Sequence, residues 1–235
     1  MTASSYGQFC PVAMAAEVLC TRWTVVLLRE LVAGSTRFND LRRGVPRMSP
    51  ALLSTRLKEL VAAGIIVRVE SASERDVFEY HLTEAGNDLR PVIEAVGCWG
   101  QRWVATDVSL ENLDPSLLMW DMRRRLDTAP LPERRTVIKF RFPELPANQS
   151  HWWLIVEACG SVDLCSVDPG SDVDLYATTD LRTMTRIWLG LSTVALERDH
   201  SRLVLSGDPK LIGNMQSWLG LSPFAGEPKR GADPT

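Results

Sequence analysis

The spacing of apolar residues changes twice along the chain. Up to residue 63 they recur every three or four positions, the period of an amphipathic helix. Residues 11–19 predict a short helix with Pro11 in its first turn. Thr21 predicts a cap for the next helix, RWTVVLLRELVAG, with Trp23, Val26, Leu27 and Leu31 inward and Gly34 at its end. A third helix is expected over about 37–43, with Phe38 and Leu41 inward. The fourth, about 49–63, has the clearest signals. Ser49 is a good N-cap, Pro50 suits the first helical position, and Gly64 stands where a left-handed C-cap belongs. Leu53, Leu57, Leu60 and Val61 share one face; Ala51, Ser54, Thr55, Lys58 and Ala62 fall on the other at 100° per residue. The period then drops to two. IIVRVES and VFEYHLT read as paired strands joined by the polar turn ASERD. TEAGNDLRPVIEAVGCWGQRWV returns to the helical period, with Thr83 and Gly86 near its start and a kink expected at Pro91.

The second half has a different order. DPSLLMWDMRRRL predicts a helix capped by Asp114. Strand-like runs follow: TVIKFRF, WWLIVEA, VDLCSV and VDLYATT. Helices DLRTMTRIWLGL and DPKLIGNMQSWLG flank a last strand, RLVLSG. The expected fold is therefore α+β in two domains: residues 1–105, a linker over 106–113, an α/β domain over 114–225 and a disordered tail over 226–235.

Composition is that of a soluble globular protein, with 45% hydrophobic and 23% charged residues. The net charge of −3 gives no sign of a nucleic-acid partner, but its distribution does. Residues 1–105 carry 12 Lys and Arg against 11 Asp and Glu; the remainder carries 14 against 18. The basic excess is concentrated in Arg37, Arg42, Arg43, Arg47, Arg56 and Lys58, against only Asp40 and Glu59. Five cysteines without a C-x-x-C pattern argue against a disulfide framework or zinc site and fit a reducing cytoplasm. The N-terminus lacks the basic start of a signal peptide, and no uncharged apolar run is long enough to span a membrane.

Three helices followed by a hairpin is the order of a winged helix-turn-helix. Such a domain buries one face of its recognition helix and gives the other to the DNA major groove. The outer face of 49–63 suits that use. Ser49, Ala51, Ser54 and Thr55 are small enough to let base edges approach, and Lys58 reaches guanine or a phosphate. Arg37, Arg42, Arg43 and Arg47 then serve as backbone-positioning contacts, with Arg75 at the hairpin tip. A solvated face on an ordinary helix is the plainer reading of that helix alone. The ordered set of capped helix, basic rim and arginine-tipped hairpin favours DNA.

CPVAMAAEVLCTRWTVVLLRELVAGSTRFNDLRRGVPRMSPALLSTRLKELVAAGIIVRV, with the later FEYHLTEAG, resembles the HxlR family of prokaryotic transcription regulators over about residues 9–103. The carrying residues are Cys10-Pro11, Arg22-Trp23, Arg37-Phe38, Leu41, Ser49-Pro50, Leu53, Arg56-Leu57, Leu60, Gly64 and Tyr80-x-Leu82-Thr83. Thr21-Arg22 stands where the family often has Gly-Lys. The resemblance implies a homodimer on double-stranded operator DNA, with Val92, Val96, Trp99 and Trp103, together with the first helix, as the dimer surface. An intramolecular core stripe is the other reading of those four residues. In some members of the family the cysteine of the Cys-Pro pair is a redox sensor, which makes Cys10 a redox candidate.

Five of the eight tryptophans lie beyond residue 106. Trp120, Trp152, Met184, Trp188, Leu189, Met215 and Trp218 are candidates for an adaptable apolar ligand site, or for plain core. VDLYATTDLRTMTRIWLGL and ALERDHSRLVLSGDPKLIGNMQSWLG are similar to sterol-carrier-protein-like domains over about 114–225. The carrying pieces are Asp180-Leu181 and Gly207-Asp208, and His200-Ser201-Arg202 departs from the family pattern. That likeness implies a small apolar ligand between sheet and helices and no catalytic role. His81, His151 and His200 lack metal-ligand spacing, and no phosphate-binding loop, dinucleotide fingerprint or nucleophile elbow is present. Asp163, Asp168, Asp172 and Asp174 read as a solvated turn. The sequence thus points to a ligand-modulated, homodimeric DNA-binding regulator in the cytoplasm, with no enzyme activity, cofactor or metal. The rival is a lipid or metabolite carrier whose winged helix serves only dimerisation or protein contact.

Overall fold

The computed structural model describes residues 5–105 and 110–230. The chain divides into two compact units, Met1–Gly97 and Cys98–Thr235. Of the expected linker, residues 106–109 lie outside the described part, and Leu110 is buried. Of the expected disordered tail, residues 231–235 lie outside it. Residues 226–230 are tied down: Glu227 pairs with Arg102 at 2.5 Å, and the Lys229 ammonium donates to the Val104 carbonyl at 2.7 Å.

The first unit comprises α1 (Pro11–Leu19), α2 (Thr24–Val32), α3 (Phe38–Gly44), α4 (Pro50–Ala62), the hairpin β1 (Ile66–Glu70) and β2 (Phe78–Leu82), and α5 (Glu84–Asn87). The helix α6 (Arg90–Trp103) begins here and ends in the second unit. Thr21 does not cap α2. Trp23 takes a left-handed conformation at φ 78°, and the Thr24 amide bonds the Thr21 carbonyl at 3.0 Å instead, a backbone turn replacing the side-chain cap. The inner face of α2 is Leu27, Leu28 and Leu31, with Val26 exposed. In α4 the Ser49 hydroxyl accepts from the Leu52 amide at 3.3 Å, a cap worth about 1 kcal/mol. Leu53, Leu57 and Leu60 are buried, whereas Val61 is exposed. The expected single helix after the hairpin is two, α5 capped by Thr83 and α6 with Pro91 in its first turn, so the proline starts a helix rather than kinking one.

One buried cluster joins these elements: Leu27, Leu28 and Leu31 of α2, Leu41 of α3, Leu53, Leu57 and Leu60 of α4, with Ile66 and Ile93. At Gly44, α3 presses onto the buried carboxylate of Glu30: a Cβ there would stand 1.8 Å from Glu30 Oε2. Arg29 holds the same corner, pairing with Glu30 at 2.5 Å and donating to the Gly44 carbonyl at 2.8 Å.

The second unit is a five-stranded sheet in the order β5-β4-β3-β6-β7. Its strands are β3 (Thr136–Arg141), β4 (His151–Val156), β5 (Val162–Cys165), β6 (Leu175–Thr179) and β7 (Leu203–Gly207). β3 and β6 run parallel; the other neighbours are antiparallel. The helices are α7 (Pro115–Arg125), α8 (Leu181–Trp188), α9 (Val194–Asp199), α10 (Pro209–Gly213) and α11 (Met215–Trp218). Ile138, Phe140, Trp152, Leu154, Leu175 and Ala177 of the sheet form one core with Met119 and Met122 of α7, Met184 and Ile187 of α8, and Trp218 of α11.

Candidate nucleic-acid interface

The hairpin is anchored to the helices by a polar seam. The Tyr80 amide donates to the Thr36 carbonyl at 2.8 Å, and residues 37 and 79 form an isolated bridge. Across that seam Arg37 pairs with Glu74 at 2.7 Å and Glu79 at 3.4 Å. Those carboxylates, Glu74 foremost, raise the already high pKa of Arg37. Glu79 also accepts from the Ser71 hydroxyl at 3.0 Å; that bond first, then His81 and Arg37, holds its carboxyl below the usual range. These bonds tie Arg37 to the wing.

The other basic residues are placed differently. Arg42, Lys58 and Arg75 are exposed, and among the described residues none of them has an ion-pair partner. They stand on α3, α4 and the hairpin turn. Arg43 is exposed and lies 3.4 Å from Asp40; Arg47 is exposed in the turn before α4. Arg56 pairs with Glu59 and donates to the Arg22 carbonyl at 3.3 Å, which fixes α4 to the segment before α2. On α4, Ala51, Thr55 and Lys58 are exposed and Ser54 half-buried. The Thr55 hydroxyl donates to the Ala51 carbonyl at 3.0 Å. Its methyl and free lone pairs remain on the outer face. Arg68 was not singled out from the sequence. It lies on β1 with its guanidinium 3.5 Å from the Phe78 ring centroid, a cation–π contact across the hairpin.

These features are the parts of a winged helix-turn-helix. The HxlR-like helix-turn-helix family matches residues 18–108. An uncharacterised HTH-type transcriptional regulator of Bacillus subtilis, YvaP, is 31% identical over 113 residues, which are 48% of this chain and 96% of YvaP. The chain belongs to the HxlR-like family. A second relative, the uncharacterised HTH-type transcriptional regulator Rv3095 of Mycobacterium tuberculosis, is 41% identical over 95 residues, 40% of this chain and 58% of that protein. Among solved structures, the redox regulator HypR in its reduced form is 33% identical, with a TM-score of 0.37, over 39% of this chain and 91% of HypR. The HxlR-like match ends at residue 108, so most of the second unit lies beyond it.

In this HxlR-like chain Cys10 is exposed and occupies the N-cap of α1. The amide of Ala13 first, then that of Val12, lowers its thiol pKa. No basic residue stands beside Cys10 in the sequence; the structure places it instead at a helix start, as the N-cap before a first-turn proline. Two apolar surfaces lie open among the described residues. Val12 and Met14 are exposed on α1, and Val92, Val96, Trp99 and Trp103 form an exposed stripe on α6.

Of the residues expected to line an apolar ligand site, Trp120, Trp152, Met184, Trp188, Met215 and Trp218 are buried and Leu189 is partly buried. The Trp152 indole donates to the Gln149 carbonyl and that of Trp218 to the Leu211 carbonyl, each at 2.8 Å. They belong to the core of the second unit and share its packing. No single helix among the described residues is long and apolar enough to cross a membrane.

Proposed function

We propose that the chain is a homodimeric, sequence-specific DNA-binding transcription regulator that inserts α4 into the major groove. The observation that carries this reading is the outer face of α4. It presents Ala51, Ser54, Thr55 and Lys58, while Arg42 on α3 and Arg75 on the wing stand exposed with no carboxylate partner among the described residues. A carrier that used the winged helix only for protein contact would not need unpaired cations around a helix of small side chains. A second copy would cover the exposed apolar stripe of α6 and the open side of α1, setting two recognition helices one DNA turn apart.

Two inputs complete the proposal. Cys10, exposed and with a lowered pKa, suits a redox signal. The second unit would take a small apolar ligand among Met184, Trp188, Leu189, Met215 and Trp218, a reading supported by their chemistry and by the likeness to sterol-carrier-like domains. Since these side chains are packed together, the ligand would have to part α8 and α11 from the sheet. Titrating palmitate while following tryptophan fluorescence tests this; a spectrum unchanged at saturation removes that input.

The deciding experiment is binding of the full chain to its own upstream DNA, against a variant carrying Ser54→Glu and Lys58→Glu. The wild type should bind, and its affinity should fall roughly 10³–10⁵-fold between about 50 and 200 mM salt. The double variant should lose binding while keeping its helical circular dichroism. Salt-independent binding, or binding kept by the variant, would refute the reading and favour the carrier.

A further inference from the structure

The two faces of the five-stranded sheet differ. One packs on the helices. The other carries two rows of side chains that the strand register sets side by side. In the first row Trp153, Lys139, Tyr176 and Ser206 are cross-strand partners on β4, β3, β6 and β7. In the second, His151, Arg141 and Thr178 are partners on β4, β3 and β6. Within each strand these residues are two apart, so they share a face. Lys139, Arg141, His151, Tyr176, Thr178 and Ser206 line a hollow of about 340 Å³.

The chemistry of this hollow is lopsided. Lys139 and Arg141 follow one another on the same strand face, and Arg141 stands directly opposite His151. No Asp or Glu lines the hollow, and among the described residues neither cation has a salt-bridge partner. Like charges set side by side on a sheet repel. Nothing in the folding of the sheet calls for that arrangement, because alternate polar residues of either sign would solvate the face equally well. Lys139 lies 4.7 Å from the centroid of Trp153, which gives its charge an aromatic bed but no neutralising partner. Three hydroxyls, of Tyr176, Thr178 and Ser206, supply further donors. The Trp153 indole N–H is buried with no acceptor among the described residues. That N–H does not open into the hollow, which Trp153 does not line.

Two cations without a carboxylate partner, beside three hydroxyls, suit an oxyanion. A guanidinium engages a carboxylate through paired hydrogen bonds, and hydroxyls complete its lone pairs. A hollow of about 340 Å³ falls at the lower end of the range for organic ligands. The exposed ring of Tyr176 and the imidazole of His151, stacked on Trp153 with centroids 6.1 Å apart, offer flat surfaces to a planar body. We propose that the hollow on the sheet face carrying Lys139, Arg141 and Tyr176 is a binding site for a small aromatic carboxylate, with Arg141 and Lys139 holding the carboxylate and Tyr176 its ring. This site differs in place and chemistry from the apolar core between sheet and helices, and it does not depend on the DNA-binding reading.

Benzoate is the probe, with benzamide as its neutral counterpart of the same shape, both titrated into the full chain by ligand-observed NMR without DNA. Benzoate should bind saturably and at least about tenfold tighter than benzamide. Arg141→Gln, at an exposed position, should weaken benzoate at least about tenfold with an unchanged melting temperature; adding Lys139→Gln should weaken it further. If the double variant fails to fold, Arg141→Gln alone decides. The proposal is overturned by any of three results: no saturable benzoate binding by about 10 mM, equal binding of the acid and the amide, or equal binding by wild type and Arg141→Gln.

Discussion

At the scale of single residues, position along a helix decides what a side chain can do. Cys10 has no base beside it, yet the free amides at the start of α1 stabilise its thiolate. A lowered pKa means the reactive form persists to lower pH than for an ordinary thiol. The rate of iodoacetamide labelling at Cys10, followed by peptide mass spectrometry, should therefore reach its half-maximum below the pH found for free cysteine. Cys159, whose thiol Ser161 also pulls down, should be replaced by Ser to isolate the signal. A half-maximum at or above that of free cysteine would remove the helix-start argument. Arg37 teaches the opposite lesson. Its charge reads as a backbone-positioning contact, and in the structure Glu74 and Glu79 pair with it. Those partners lie so far along the chain that no local pattern could reveal them. Arg37→Ala should speed amide exchange in the hairpin around residues 71–79. Weakened DNA binding with unchanged exchange there would return Arg37 to the phosphate-contact role.

At the scale of elements, α4 is the most legible part of the first unit because it carries its own start and stop. Ser49, Pro50 and Gly64 bracket α4, and Gly64 takes the left-handed φ of 70° that a side chain would resist. The helix α9 was missed for a physical reason. It is six residues long, and one of its two buried positions is Glu197, so no apolar stripe announces it. Its anchor is polar: Arg202 and Ser192 both bond the Glu197 carboxylate. Arg202 foremost holds that carboxyl below its ordinary value. A carboxylate lowered on folding adds stability that is complete above its unfolded pKa, about 4.3, and is lost as pH falls through the folded value. Glu197→Gln should cost about 1–3 kcal/mol at neutral pH by urea unfolding, with the gap to wild type narrowing under acid. A constant gap would show that shape, not charge, holds α9. Packing sets a second constraint, at the corner of α2 and α3. Gly44→Ala would push a methyl into the Glu30 carboxylate, and should destabilise the unit by about 1–3 kcal/mol. Unchanged stability would mean that the corner opens freely.

At the scale of the whole molecule, the question is what covers the apolar stripe of α6. The sequence showed the stripe but left two readings, an internal core or a partner surface. Periodicity cannot separate them, since both bury the same face. Solvent exposure bears on the choice. Val92, Val96, Trp99 and Trp103 are between 43% and 61% exposed, while Ile93 on the same helix is buried. Four large apolar side chains exposed along one helix face suit a contact surface. A second copy is the occupant that a two-fold operator would require, because one recognition helix reads only half a site. Val96→Glu with Trp99→Glu places charge in the middle of the stripe without touching the core of either unit. The wild type should sediment as a dimer and the variant as a folded monomer. The variant's DNA affinity should fall to the level of a single half-site, with Lys58 and the outer face of α4 unaltered. A variant that stays dimeric would move the interface to α1, where Val12 and Met14 are the next exposed apolar residues. A wild type that sediments as a monomer at all concentrations, and binds DNA as one, would remove the two-fold arrangement altogether.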